Sequence, residues 1–230
     1  MLKFKVDNRV GEIVIERQAE ANAFTGEMAK QLGEMMRKAA SDADILTLRG
    51  QGADFTIGRD RKEPKSAAPF DTFRNISAVN QAIAAFPGIL ITSVQGRAFG
   101  LGVGLIMRSD ISIASTEAKF GLDEVAHGIP PMFIMEEMVE HLPMKRSLEI
   151  ILSGREFGAD EALQMGLLSQ VVPAAQLDQT VKGFVTTLSG RDRNVVLACK
   201  RYLRTVGKIP VDARSAFALV QQTEFALNKR

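Results

Sequence analysis

Residues 89 to 108 constrain the fold more than any other part of this chain. Ile89-Leu90-Ile91-Thr92-Ser93-Val94 is a strand rich in branched residues, Gln95 to Gly104 carries glycine at 96, 100, 102 and 104, and Leu105 to Arg108 is helical. A glycine-rich turn between strand and helix leaves backbone N–H groups free at the positive end of the helix dipole, where an anion or a developing oxyanion is held. On spacing alone, Gly100, Gly102 and Gly104 also fit a dinucleotide turn, or small residues that let a helix approach a strand. A Rossmann arrangement is disfavoured, because the strand comes late in the chain, no acidic residue closes a second strand about 20 residues on, and Asp110 falls too early.

The remaining patterns supply the layers around this segment. Leu2 to Val6 alternates apolar and charged residues, and Val10 to Ile15 resumes after Asn8-Arg9, which reads as a hairpin. Thr25 caps a helix with Met28, Leu32, Met35, Met36 and Ala39 at helical spacing, a stripe read as core, ending before Asp42. Ile45 to Leu48 is a short buried strand, Phe55 to Gly58 a short strand or loop, and Arg59 to Pro69 a charged loop expected to be mobile. A helix over Phe73 to Phe86 stops at Pro87-Gly88. A strand follows over Ile111 to Ala114, then an irregular stretch over Phe120 to Pro131. Helices are expected over Met132 to His141, Lys145 to Ser153 and Ala159 to Gly166, and Val171-Val172-Pro173 is strand-like. Repeated strand, strand, helix order predicts an α/β layout for residues 1–175 and a helical region over 176–230.

Composition narrows the classes of function. The 230 residues are 46% hydrophobic with a net charge of +2, so no charge field argues for nucleic acid or a membrane surface, and any anion site must be local. The single cysteine, Cys199, forms no internal disulfide, and with two histidines it builds no cysteine-rich metal site. The first ten residues lack a secretory or transit pattern, and no apolar run reaches the roughly 18 residues of a spanning helix. A cytoplasmic location is the expectation.

Several segments, in one collinear order from about residue 10 to 175, resemble the crotonase (enoyl-CoA hydratase/isomerase) family. They are Asn22-Ala23-Phe24; Arg49 to Asp60 with its Phe55-Thr56-Ile57-Gly58-Arg59-Asp60 ending; Val94 to Gly102; Ser109-Asp110-Ile111; Lys119 to Val125; and Leu152 to Ala162 continuing through Gly166-Leu167-Leu168 to Val171-Val172-Pro173. The resemblance implies a spiral of repeated ββα units with a helical C-terminal part, assembled as a homotrimer or a dimer of trimers. It implies an acyl-CoA thioester substrate, with CoA part of the substrate rather than a cofactor, and no metal.

Carried over position by position, the resemblance implies that the backbone N–H groups of Arg59 and Leu101 form an oxyanion hole, with Gly58 and Gly100 allowing close approach. Leu101 stands where the family usually has glycine, which makes its backbone angle a point to test. Of two family glutamates, the first position is Gly104 here and the second is Glu124. One carboxylate suffices to move a double bond, whereas hydration by a glutamate pair loses half its proton relay. Glu124 is therefore read as the acid/base, against the alternative of a solvated loop charge. A hydratase with a substitute for the missing glutamate is the alternative, and His127, Asp123, Glu136 and Glu137 are near enough in sequence to supply it, His127 also being read as a hydrogen-bonded structural residue. Met132 and Phe133 shape an acyl pocket or simply pack. The basic loop Arg59, Arg61, Lys62 and Lys65 lies in the family along the CoA adenine and phosphates, with Asp60 beside it. Arg17, Ala21 and Phe24 fall at an N-terminal CoA contact, and Lys229 or Arg230 are weaker candidates. A catalytically weak acyl-CoA-binding subunit remains the reading from another class.

Overall fold

The computed structural model describes residues 1–64 and 69–227, the side chains of Pro69 and Thr72 excepted, so Lys65, Lys229 and Arg230 lie outside it. Strands β1 (Leu2–Asp7) and β2 (Val10–Ile15) pair antiparallel with Leu2 opposite Ile15. The two connecting residues, Asn8 and Arg9, both have positive φ, the conformation that a tight hairpin's twist demands. Helix α1 (Gly26–Asp42) starts at Thr25, whose Oγ1 accepts from the Met28 N–H, and it buries Met28, Leu32, Met36 and Ala39.

The chain continues through β3 (Ile45–Gly50), α2 (Pro69–Ala85), β4 (Ile89–Val94), β5 (Arg97–Phe99), α3 (Leu101–Arg108), β6 (Ile111–Ser115) and β7 (Lys119–Gly121). Then come α4 (Met132–His141), α5 (Met144–Ser153), β8 (Glu156–Gly158), α6 (Ala159–Gln164), β9 (Gln170–Val172), α7 (Leu177–Ser189), α8 (Arg193–Val206) and α9 (Arg214–Leu227). A six-stranded sheet has the order β1-β2-β3-β4-β6-β9, parallel from β2 onward. A second sheet, β5-β7-β8, is extended by a parallel bridge between Thr56 and Ala98. Each pass of the chain thus contributes one strand to the large sheet, a short extended piece to the small one, and then a helix. This is the repeated ββα architecture with a helical C-terminal part.

Both faces of the large sheet are covered, which is why its parallel strands read as nearly unbroken apolar runs. Leu46, Leu48, Leu90 and Val94 face the main core with Phe24, Phe55, Phe86 and Phe120. Ile45, Ile89, Ile91 and Ile113 face the other way, against Leu177 and Val181 of α7. Each such fully buried side chain contributes about 1.5–3 kcal/mol.

Three sequence expectations are corrected. Helix α3 begins at Leu101, not Leu105, because Gly100 alone absorbs the turn. The stretch after Lys119 is not wholly irregular, since it holds β7 and a single 3-10 turn at Glu124–His127. Strands β5 and β8 went unanticipated because three residues are too few to show an alternating pattern. Among the described residues no helix is long and apolar enough to cross a membrane.

Candidate active site

Asn22 organises one wall of the site. Its side chain is fully buried, its Nδ2 donates to the carbonyls of Gln51 (3.0 Å) and Asp54 (2.7 Å), and its Oδ1 accepts from the Arg17 N–H (2.9 Å). Thr56 Oγ1 donates to the Asn22 carbonyl and accepts from the Gly58 N–H. Asp54, held well below the usual carboxylate range chiefly by its bonds from the Arg97 guanidinium, ties the same loop to β5. The Phe24 N–H donates to the Gly58 carbonyl and the Asp60 N–H to the Phe24 carbonyl, leaving the intervening Arg59 N–H facing the other way.

Gly58, at φ +84°, lies against the backbone of residues 99 to 101: a β-carbon there would fall 2.8 Å from the Phe99 oxygen and 3.4 Å from the Leu101 nitrogen. Gly100 carries the second left-handed angle, φ +50°, which lets Leu101 enter α3 as its first residue with ordinary geometry. A leucine is therefore compatible with this position, since the strained angle belongs to its neighbour. Neither the Arg59 nor the Leu101 backbone N–H meets an acceptor among the described residues.

Glu124 completes the convergence. Its Oε1 lies 2.7 Å from the point where a Gly100 β-carbon would sit, and its Oε2 is buried with no hydrogen-bond partner. Burial pushes the Glu124 carboxyl above the usual carboxylate range, with the neighbouring Asp123 charge adding to the effect. Asp123 behaves oppositely: burial acts to raise it, but the bond from Arg61 holds it low. Arg61 bridges Asp123 Oδ1 and His127 Nε2, both at 2.5 Å, and so connects the loop carrying Arg59 to the loop carrying Glu124. On the far side, Gly154 packs against Leu122 and Asp123, joining the C-terminal sequence signature to the same loop.

Arg59, Arg61, Gly100, Leu101, Asp123, Glu124 and His127 line one cleft of about 890 Å³, its open mouth included. Ile57, Phe73, Ile76 and Ile134 make its wall apolar, with Met132 and Phe133 from α4 at the same cleft. Met132 is largely exposed, and Phe133 lies 6.1 Å from the Phe73 ring. At Gly104 a β-carbon would meet the Arg108 guanidinium at 3.5 Å.

Of the other expected residues, Arg59 and Arg61 line the cleft, whereas Arg17, Ala21, Phe24, Asp60 and Lys62 do not. Arg17 and Asp60 are paired with each other at 2.7 Å, the bond that chiefly keeps Asp60 low. Ala21 is half-buried at a left-handed turn. Phe24, anticipated at a CoA contact, is instead 1% exposed, so its side chain belongs to the core. Arg59 and Lys62 have exposed side chains that form no ion pair among the described residues, whereas Arg61 is turned onto Asp123. Asn80 and Arg108 line the cleft and were not anticipated. Their signals were present: Arg108 follows Leu101 and Gly104 at helical spacing, and Asn80 stands on the apolar face of α2, four residues after Ile76.

The enoyl-CoA hydratase/isomerase family model matches residues 5–221. The chain belongs to that family. It is an enzyme of this general type, with the crotonase fold. A hydroxycinnamoyl-CoA hydratase-lyase of Pseudomonas fluorescens is 27% identical over 86% of this chain and 76% of its own length. The mitochondrial enoyl-CoA hydratase domain-containing protein 3 of Mus musculus is 29% identical over 93% and 72%. A solved enoyl-CoA hydratase/isomerase family protein of Silicibacter pomeroyi superposes with a TM-score of 0.90 at 26% identity, covering 97% of this chain and 99% of the other. A Thermobifida fusca protein crystallised with acetoacetyl-CoA gives 0.85 at 26% identity, covering 99% and 95%.

Proposed function

We propose that this crotonase-family chain binds an acyl-CoA thioester with its carbonyl oxygen between the Arg59 and Leu101 N–H groups. Glu124, as the single acid/base, then moves a proton between the α and γ carbons and so shifts a double bond. Removing the α proton leaves an enolate whose negative charge rests on the thioester oxygen, where preorganised donors stabilise it, and one such donor is typically worth about 10²–10³ in rate. The observation that carries the reading is the Glu124 Oε2, buried without a partner among the described residues in the cleft that Arg59 and Leu101 also line, their N–H groups meeting no acceptor there. A carboxylate held above its ordinary pKa in an apolar cleft is suited to take and return a proton. Of the cleft's two carboxylates, Asp123 is engaged by Arg61, and the position across the cleft is Gly104.

The exposed side chains of Arg59, which lines the cleft, and Lys62, neither in an ion pair among the described residues, suit the phosphates of CoA. A hydratase is the second reading; it needs a substitute for the missing glutamate, and His127 and Asp123, which line the cleft with Glu124, serve only if the Arg61 bridge that holds them both opens. Exposed Leu203, Val211, Leu219 and Leu227 on the C-terminal helices support assembly through that region as a homotrimer or a dimer of trimers.

The deciding experiment supplies 3-enoyl-CoA and 2-enoyl-CoA thioesters and follows absorbance and mass. Conversion of the 3-enoyl to the 2-enoyl thioester without mass change, lost in Glu124→Gln, supports the isomerase. A gain of one water from the 2-enoyl thioester assigns the hydratase. Binding without turnover of either leaves an acyl-CoA-binding subunit.

A further inference from the structure

We infer that the acyl group taken by this site carries an oxygen acceptor, a carbonyl or a carboxylate, a few carbons beyond the thioester, and that Asn80 and Arg108 recognise it. The inference rests on the proposal that an acyl-CoA thioester occupies the cleft, and it names the class of acyl chain.

A cleft meant for plain hydrocarbon is expected to have an apolar end, and most of this one is apolar. Two groups break the pattern. Asn80 Nδ2 is buried and has no hydrogen-bond partner among the described residues, although leaving an amide donor unpaired in such a place is unfavourable. Arg108 has a side chain only 7% exposed, and burial lowers its pKa even though Glu137 at 3.4 Å and Glu136 at 3.9 Å pull it back up. Arg108 Nη2 is spent on the Phe133 carbonyl at 2.7 Å, but Nη1 reaches the Gly104 carbonyl only at a long 3.4 Å, which leaves that nitrogen weakly engaged.

Position matters as much as satisfaction. Arg108 is two turns along α3 from Leu101, but its guanidinium folds back over Gly104. Gly104 lies three residues from Leu101, an axial distance of about 4.5 Å, the span of a few carbon–carbon bonds. A chain whose thioester oxygen sits at the Leu101 N–H and which runs along α3 therefore brings its far end to Arg108. The glycine at 104 keeps that path open. A hydrocarbon end would leave Asn80 Nδ2 unpaired and Arg108 Nη1 with only its long bond to Gly104, whereas an oxygen acceptor satisfies both. A site built to hydrogen-bond a polar group rejects analogues lacking it far more strongly than an apolar pocket rejects an extra methylene.

Calorimetric binding of three thioesters of matched length tests this: hexanoyl-CoA, 5-oxohexanoyl-CoA and glutaryl-CoA. At least one oxygenated thioester is expected to bind ten times or more tightly than hexanoyl-CoA, and which of the two does so separates carbonyl from carboxylate. Asn80→Leu and Arg108→Met are each expected to shrink that ratio severalfold. The wild-type comparison needs no variant, so a variant that fails to fold does not remove the test. Hexanoyl-CoA binding as well as or better than both oxygenated thioesters overturns the inference while leaving the acyl-CoA reading standing. Absence of binding by all three, hexanoyl-CoA included, overturns both.

Discussion

Glu124 is held where ionisation is unfavourable, and that has consequences for stability and for rate. Its folded pKa lies above the ordinary 4.5, so its contribution to stability is fully present below that value and is lost as pH rises through the raised folded pKa. Glu124→Gln should therefore raise the melting temperature at neutral pH, with the gain vanishing near pH 4 in a thermal-shift series. The same substitution should lower kcat/KM by about 10²–10⁴. On the proposed role of Glu124, the acid limb of kcat/KM in the unaltered enzyme should fall above pH 4.5, because a carboxyl base works only when ionised. Neighbouring glycines separate site geometry from helix propensity. In Gly100→Ala the new methyl meets Glu124 Oε1 at 2.7 Å at a positive φ, so activity should drop at least tenfold and stability should fall. In Gly104→Ala the nearest atoms lie at 3.5 and 3.6 Å, ordinary contact, and α3 should gain about 1 kcal/mol, visible as a higher melting temperature.

At the scale of elements, what the sequence disclosed and what it hid follow from range. The glycine-rich turn, the Thr25 cap and the apolar stripe of α1 are local patterns and were legible. The resemblance picked out Asn22-Ala23-Phe24 without a physical reason for it. The reason is three hydrogen bonds to groups five to 32 residues away, which no spacing rule reveals. Asn22→Ala leaves the buried Asp54 carbonyl, the part-buried Gln51 carbonyl and the Arg17 N–H without this partner and puts an alanine at φ 59°, so a loss of about 2–4 kcal/mol is expected in chemical denaturation. Because those bonds hold the loop that presents the Arg59 N–H, kcat should also fall well below the melting temperature. A purely structural role would leave kcat unchanged there. Phe24 shows the converse: its place in the sequence pattern suggested a ligand contact, and only three-dimensional burial reveals it as core.

At the scale of the whole molecule, the sequence marked residues 176–230 as helical but not what fastens α8 within it. Asp110 accepts from the Leu90 N–H and, from 90 residues further along the chain, from Lys200 Nζ at 2.7 Å, joining β4 to α8, with Arg204 adding a second contact. Lys200 is 7% exposed, lies over the Phe86 ring, and also donates to the carbonyls of Phe86 and Gly88. Burial lowers its pKa and Asp110 acts against that. Asp110→Ala removes the countercharge while the ammonium stays buried, and breaking such a pair from one side costs about 3–5 kcal/mol. Lys200→Met should cost less, since Asp110 keeps Arg204 and the Leu90 N–H. The mechanism predicts a pH signature as well. With Asp110 gone, raising the pH through the lowered Lys200 pKa, below its ordinary 10.5, discharges the stranded ammonium. The deficit of Asp110→Ala relative to the parent should therefore narrow in alkaline denaturation series. A deficit constant with pH would instead mean that Asp110 fastens α8 through the Leu90 bond and packing, with the charge on Lys200 satisfied by the two carbonyls.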